Sequence, residues 1–161
     1  SVVRAARHGM PLLLAVLGGS PARFAPFVEL YRRSLREFGM PEDLPVGIHC
    51  PGHLAATDEQ AADEMFPGQS ESFTRIGEER GWGGPYTRRV FDAQTGPDGA
   101  LFVGAPETVA TKMAAVIRQL GLSRFQLKYA VGSLSHEKRM ESIRLYGEEV
   151  VPRVRELLTE G

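Results

Sequence analysis

Four short stretches hold the residues of this chain whose types could do chemistry: "GGSP" at 18–21, "HCPGH" at 49–53, "RGWGGPYTRR" at 80–89 and "VGAPETV" at 103–109. In "GGSP", bare glycine backbone runs into Ser20 and Pro21, good signals for a helix start. That arrangement can cradle an anion on free N–H groups or simply turn the chain. "VGAPETV" poses the same pair of readings. His49 and His53 are four apart, but on a strand interrupted by Pro51, so they lack the helical spacing of a zinc pair and no metal site is expected. Cys50 adjoins His49, yet neighbouring strand residues point to opposite faces. His49 is therefore no base for the thiol, and Cys50 reads as a small buried hydrophobe. In parallel α/β folds ligands sit beyond the carboxyl ends of strands, where His49, His53 and Gly52 would stand. The alternative there is a strand-end turn with solvated histidines. Trp82, the only tryptophan, lies in a Gly-rich tract that reads either as an aromatic lid or as a surface loop.

The elements that must position these residues alternate. Val2, Val3 and Ala6 read as the end of a helix closed by Gly9, as though the chain were a piece of something longer. Pro11–Leu17 is an unbroken apolar run suited to a strand buried on both faces. Phe24, Phe27, Val28, Tyr31 and Leu35 mark an amphipathic helix ending near Gly39. A second strand spans 45–56, with Val46, Ile48 and Cys50 on one face. Thr57 caps a helix that opens "DEQAADEMF" with acids in its first turn. Periodicity then fails from Pro67 to Leu101, where seven glycines and three prolines suggest loop, with a short helix through "SESFTRIGEER". Loops of this length are usually binding segments or lids, so 68–100 is read as an insertion or lid. A helix follows from Pro106 to Gly121, then a third strand over 124–131 with Phe125, Leu127 and Tyr129 on one side. The last helix runs from about His136 to Leu158, with Met140, Ile143, Tyr146, Val150, Val154 and Leu157 inward. Strand–helix alternation predicts parallel pairing through right-handed crossovers.

Composition narrows the classes. The 161 residues suit one domain, and a net charge of −1 offers no electrostatic case for nucleic acid or an anionic membrane. No apolar run nears the roughly 18 residues of a membrane span. "SVVRAARHGM" does not read as a signal peptide, and one cysteine excludes an internal disulfide, so a cytoplasmic location is expected. No G-x-S-x-G elbow supports hydrolase chemistry.

Several segments together resemble the carboxyl-terminal half of bacterial-luciferase-like flavin monooxygenases. They are A-A-x-x-G-x-P (Ala5 to Pro11), A-x-T-D-E-x-A (Ala55 to Ala61) and G-x-P-E-x-V-A (Gly104 to Ala110), followed by L-G-x-x-R-F. The resemblance implies a partial (β/α)8 TIM barrel, its strands six to eight being Pro11–Leu17, Pro45–Ala56 and Arg124–Val131, all in one partial domain over 1–161. It implies reduced FMN, or in some branches coenzyme F420, activating oxygen or transferring hydride to a small organic substrate. Ser1 matches the residue that helps hold the flavin phosphate. Gly18 and Gly19 fall on the rim beside the flavin, and His49, His53 and Trp82 fall around the substrate. Ala105 stands where a Ser or Thr cap is usual, at a cost of about 1 kcal/mol. With five strands absent, the piece alone is expected to be inactive. The other reading is a non-catalytic half-barrel serving as an oligomeric or binding module. Three strands cannot close a barrel. A homodimer or larger assembly is therefore expected, covering a face built from Leu12, Leu14, Val46, Ile48, Phe125 and Leu127.

Overall fold

The computed structural model describes residues 1–129 and 132–160. Four parallel strands form one sheet: β1 (Leu12–Ala15), β2 (Val46–Leu54), β3 (Phe102–Gly104) and β4 (Arg124–Lys128). β2 is the hub. Its first half pairs with β1, in register Leu12↔Val46, and with β4, in register Ile48↔Phe125, while its far end takes β3 through Gly52↔Phe102. Among the described residues β1 and β4 pair with β2 alone, leaving both sheet edges open. Around the sheet lie α1 (Val2–Arg7), α2 (Ala25–Glu37), α3 (Asp58–Arg80), α4 (Arg88–Thr95), α5 (Pro106–Leu120), α6 (His136–Leu145) and α7 (Val151–Thr159). This α/β architecture with a parallel sheet is a partial barrel.

The three expected strands are present with shorter bounds. Positions 130 and 131, which the sequence assigns to the third, lie outside the described residues. β3 was not anticipated. The largest departure is α3, which runs unbroken through Pro67 to Arg80, with α4 following where loop was expected. Proline there deletes one helical hydrogen bond. Tertiary contacts hold the segment regardless: Phe66 meets Phe91 edge to face, Phe73 lies against Tyr86, and Ala61, Met65, Phe91, Leu101 and Val103 form a small second core. Trp82, by contrast, is 58% exposed. Ala105 supplies no side-chain cap, but the Asp58 carboxylate reaches the same helix start, accepting from the Ala105 N–H (2.7 Å) and the Thr108 hydroxyl (3.1 Å) and placing a negative charge where the helix dipole favours it. The last helix also differs from its expected form. Residues 146–150 form a π-turn whose extra residue shifts the helical phase, so Met140 and Ile143 face solvent and Ser142 and Leu145 turn inward.

The main core lies between the sheet and its helices. Leu14, Val46, Ile48 and Cys50 are buried there, with Leu12, Phe125 and Leu127 packed against them. The register puts all seven on one face, so the residues expected to cover a dimer interface face the helices instead. The opposite face carries Leu13, Ala15, Gly47, His49, Arg124, Gln126 and Lys128, small or polar but for Leu13. Alternation made the two faces distinguishable, but assuming that both were apolar assigned the wrong one to the open side. The hydrophobic argument for self-association through those residues falls with it.

Lys112 of α5 enters this core from the side, donating to the carbonyls of Leu101 (2.6 Å) and Thr95 (3.4 Å) above the Phe102 ring. Burial lowers its pKa from 10.5 to about 8, against the opposing pull of Cys50 and Asp98, while burial pushes the Cys50 thiol from 9.0 up to about 12. Below pH 8 the amine is charged in both states and its burial cost is fully present. Between pH 8 and 10.5 the native amine has lost its proton while the unfolded one keeps it, so stability rises with pH. Cys50 acts oppositely. Above pH 9 the unfolded thiol ionises while the native one stays protonated, so stability falls. The two slopes cancel between about pH 9 and 10.5, so the urea midpoint should rise from pH 8 to a broad maximum across that interval and fall above it. Cys50→Ala should shift the peak upward, and Lys112→Met should abolish the rise that precedes it.

Candidate functional site

Beyond the carboxyl ends of β1, β2 and β4 lies a cavity of about 550 Å³, roofed by the second half of α3. The roof is fixed by local chemistry at both helix ends. Thr57 Oγ1 accepts from Gln60 N–H (3.1 Å) at the start, with Asp58 and Glu59 in the first turn where the dipole favours acids. At the far end Gly81 adopts the left-handed conformation (φ 66°) and turns the chain so that Trp82 comes over the cavity. The Arg80 guanidinium lies 5.4 Å from the indole centre. Midway, α3 rests on the loop after β4. A Cβ at Gly132 would come within 2.7 Å of the Gly68 backbone, so only glycine permits the approach.

That approach seats Gln69 against the sheet, 2% exposed and lining the cavity. Its Nε2 makes no hydrogen bond of normal geometry. It leans toward the Tyr86 phenol, whose pKa burial raises and the Gln69 amide moderates. Tyr86 is itself held firmly. Its hydroxyl donates to Gln94 Oε1, its N–H donates to Thr74 Oγ1 (3.1 Å), and its carbonyl accepts from the Ser70 hydroxyl (2.7 Å). The cavity walls are apolar at Val16, Leu17, Phe73 and Ile76, and cationic at Arg23, Arg80 and Lys128.

Of the residues singled out in the sequence, Gly18, His49 and Trp82 line this cavity. Gly19 does not. It stands beside the cavity in the left-handed conformation (φ 74°), where a side chain would strike Arg23. His53 lies four residues beyond His49 on the same strand and is sealed from the cavity. It is completely buried, with Nε2 2.7 Å from Glu64 Oε2 of α3. Ser1 sits exposed at the N-cap of α1, and its side chain makes no cap bond. Cys50 points into the helix-side core. Among the described residues no three His, Cys, Asp or Glu side chains converge as metal ligands. No helix of the described residues is long and apolar enough to cross a membrane. Arg23, Gln69 and Lys128 come from three separate elements, and no spacing in the sequence unites them.

The sequence model of the luciferase-like monooxygenases matches residues 1–124. No curated protein matches the chain. A monooxygenase from Streptomyces bottropensis superposes with a TM-score of 0.72 at 18% identity, over 94% of this chain and 44% of that one. The oxygenating constituent of 3,6-diketocamphane monooxygenase from Pseudomonas putida, a type II Baeyer-Villiger enzyme solved with FMN, gives 0.70 at 17%, over 96% and 45%. The coenzyme F420 dependent tetrahydromethanopterin reductase of Methanopyrus kandleri gives 0.59 at 14%, over 95% and 48%. The chain thus spans less than half the length of each of these three, and at these identities the likeness is one of fold.

Proposed function

The chain belongs to the luciferase-like monooxygenase family, and from that premise we propose that it forms the carboxyl-terminal half of a flavin-dependent monooxygenase acting on a small organic substrate. One observation carries the reading: the cavity opens at the carboxyl ends of parallel strands, where barrel enzymes place their chemistry. FMN is the flavin the reading favours, with coenzyme F420 as the alternative. When bound in reduced form, such a cofactor supplies the electrons for oxygen activation or hydride transfer.

The residues present fit a flavin beside this cavity. Val16, Leu17 and Gly18 follow β1 with apolar side chains and open backbone, and Arg23 adds a positive charge at the rim. Ser1 and Gly19 belong to the same proposal as phosphate and rim contacts supplied together with the rest of a barrel. His49 and Trp82 would border the substrate, α3 with the 82–87 segment would exclude water from it, and His53 would support the wall from behind. The open edges of β1 and β4 call for further strands, from the remainder of a barrel or from a second copy.

Flavin fluorescence tests the reading. Alone, the chain should bind FMN more weakly than about micromolar, since affinity depends on many preorganised contacts acting together. Joined to the amino-terminal half of a luciferase-like barrel, it should bind FMN or F420 and consume oxygen or oxidise the cofactor on adding substrate. Failure of the joined protein to bind either cofactor would overturn the flavin assignment.

A further inference from the structure

We propose that the cavity under α3 takes an organic anion, a small apolar body bearing a carboxylate or similar acidic group. This rests on reading the cavity as the substrate seat and goes beyond it by naming the class of substrate. Three observations carry it. The first is the sign of the lining: Arg23, Arg80 and Lys128 border the cavity and no Asp or Glu does, in a chain whose acids outnumber its bases 20 to 19. Among the described residues none of these three is in an ion pair, whereas Arg33, Arg36, Arg88, Arg144 and Arg153 each pair with a carboxylate.

The second is Gln69. A buried amide N–H group without a partner is costly, and natural structures rarely tolerate one unless something else completes it. Gln69 lines the cavity, and its Nε2, closed off from solvent and held only loosely by the Tyr86 phenol, would turn toward the cavity to be completed by an acceptor atom there. The third is the apolar wall of Phe73, Ile76 and Trp82, which would take a hydrocarbon or aromatic body. A neutral apolar ligand would leave the amide unpaired, and a cation would be repelled. An acid with an apolar body satisfies all three features, and charge-assisted hydrogen bonds are the stronger kind.

Trp82 is the only tryptophan, so its fluorescence reports this cavity. Titration with 4-phenylbutyrate should give a saturable change. The uncharged 4-phenylbutan-1-ol, of the same body, should bind at least roughly ten-fold more weakly. Added salt should erode the difference. Arg23→Met with Lys128→Met, both exposed positions, should bring acid and alcohol within about two-fold of each other without moving the melting temperature. Gln69→Leu should weaken the acid more than the alcohol, whose neutral oxygen accepts less strongly from the amide. Equal affinity for acid and alcohol, or no saturable response to the acid, overturns the proposal.

FMN, itself an anion with a flat body, forms the separating arm by calorimetric competition. If FMN displaces 4-phenylbutyrate one for one, the cavity is the flavin's own seat: the substrate assignment falls and the flavin reading stands. If the acid binds while the joined barrel binds no flavin, the anion site stands and the flavin reading falls.

Discussion

Gly52→Ala should destabilise the fold by about 3 kcal/mol or more, lowering the melting temperature by about 10 °C. The cause is space and not backbone conformation, because Gly52 sits in the extended run of β2 with no left-handed φ. A Cβ there would collide with the Phe102 carbonyl oxygen, its register partner in β3, and would come 2.5 Å from Leu127 Cδ1. The leucine could rotate away; the carbonyl could not, because it belongs to the backbone of β3. Relief would require separating β3 from β2. β3 also leads into α5, and the Leu101 carbonyl just before it accepts from Lys112, so the strain would spread through both cores. Gly147→Ala is the matched control. Outside its own stretch of helix no atom lies within 4 Å of its added carbon, so it should be neutral or slightly stabilising, by up to about 1 kcal/mol. Urea denaturation of the two variants checks the contrast. A Gly52→Ala protein within about 1 kcal/mol of the parent would show that β3 is not closely seated on β2.

The elements that the sequence disclosed are those with one strong periodic signal. β1 is an apolar run, β2 alternates apolar residues on one face, and α2 and α5 carry apolar residues every three or four positions between helix-start and glycine-stop signals. The three family motifs fall at the joints of those elements and indicated the barrel family that the sequence model then matched. β3 escaped because a three-residue strand has no period to read. α3 was cut short at Pro67 because a proline and several glycines outweighed the local pattern. What keeps it helical is nonlocal: Phe66 against Phe91, Phe73 against Tyr86, and Gly68 against Gly132. The sidedness of the sheet was legible and misjudged. Gly47, His49, Gln126 and Lys128 alternate with Val46, Ile48, Phe125 and Leu127, and that polarity difference already says which set meets the helices. The cavity shows the limit of such reading. Strand-end logic brought His49 to it and the family resemblance brought Gly18, but Gln69 enters only because α3 continues and lies on the loop after β4.

Glu64→Ala should cost about 3 kcal/mol, although Glu64 is not among the residues lining the cavity and carries no motif. His53 is completely buried on β2, and its Nε2 lies 2.7 Å from Glu64 Oε2. Glu64 is itself tied down, its Oε1 accepting from Gln60 Nε2 (2.9 Å) with Lys138 Nζ at 3.9 Å. Burial alone would raise the Glu64 pKa, but the hydrogen bonds from His53 and Gln60 and the charges of His53 and Lys138 together bring it below its ordinary 4.5. The carboxylate is thus ionised at neutral pH and accepts from the ring, so Nε2 carries the donated hydrogen. Nδ1 has no partner among the described residues, so His53 depends on this single bond. Truncation to alanine leaves both ring nitrogens unsatisfied in a closed site and opens a gap between α3 and β2, whereas Glu64→Gln keeps an acceptor oxygen and should cost only about 1 kcal/mol. The pH dependence separates the charge from the bond. A carboxylate with a depressed native pKa contributes stability that is present above pH 4.5 and lost as pH falls through the native value. The parent should therefore lose this contribution under acid, and Glu64→Gln should show a shallower decline over the same range. Equal acid slopes for parent and Glu64→Gln would mean that the ionised carboxylate contributes nothing to holding α3 on the sheet.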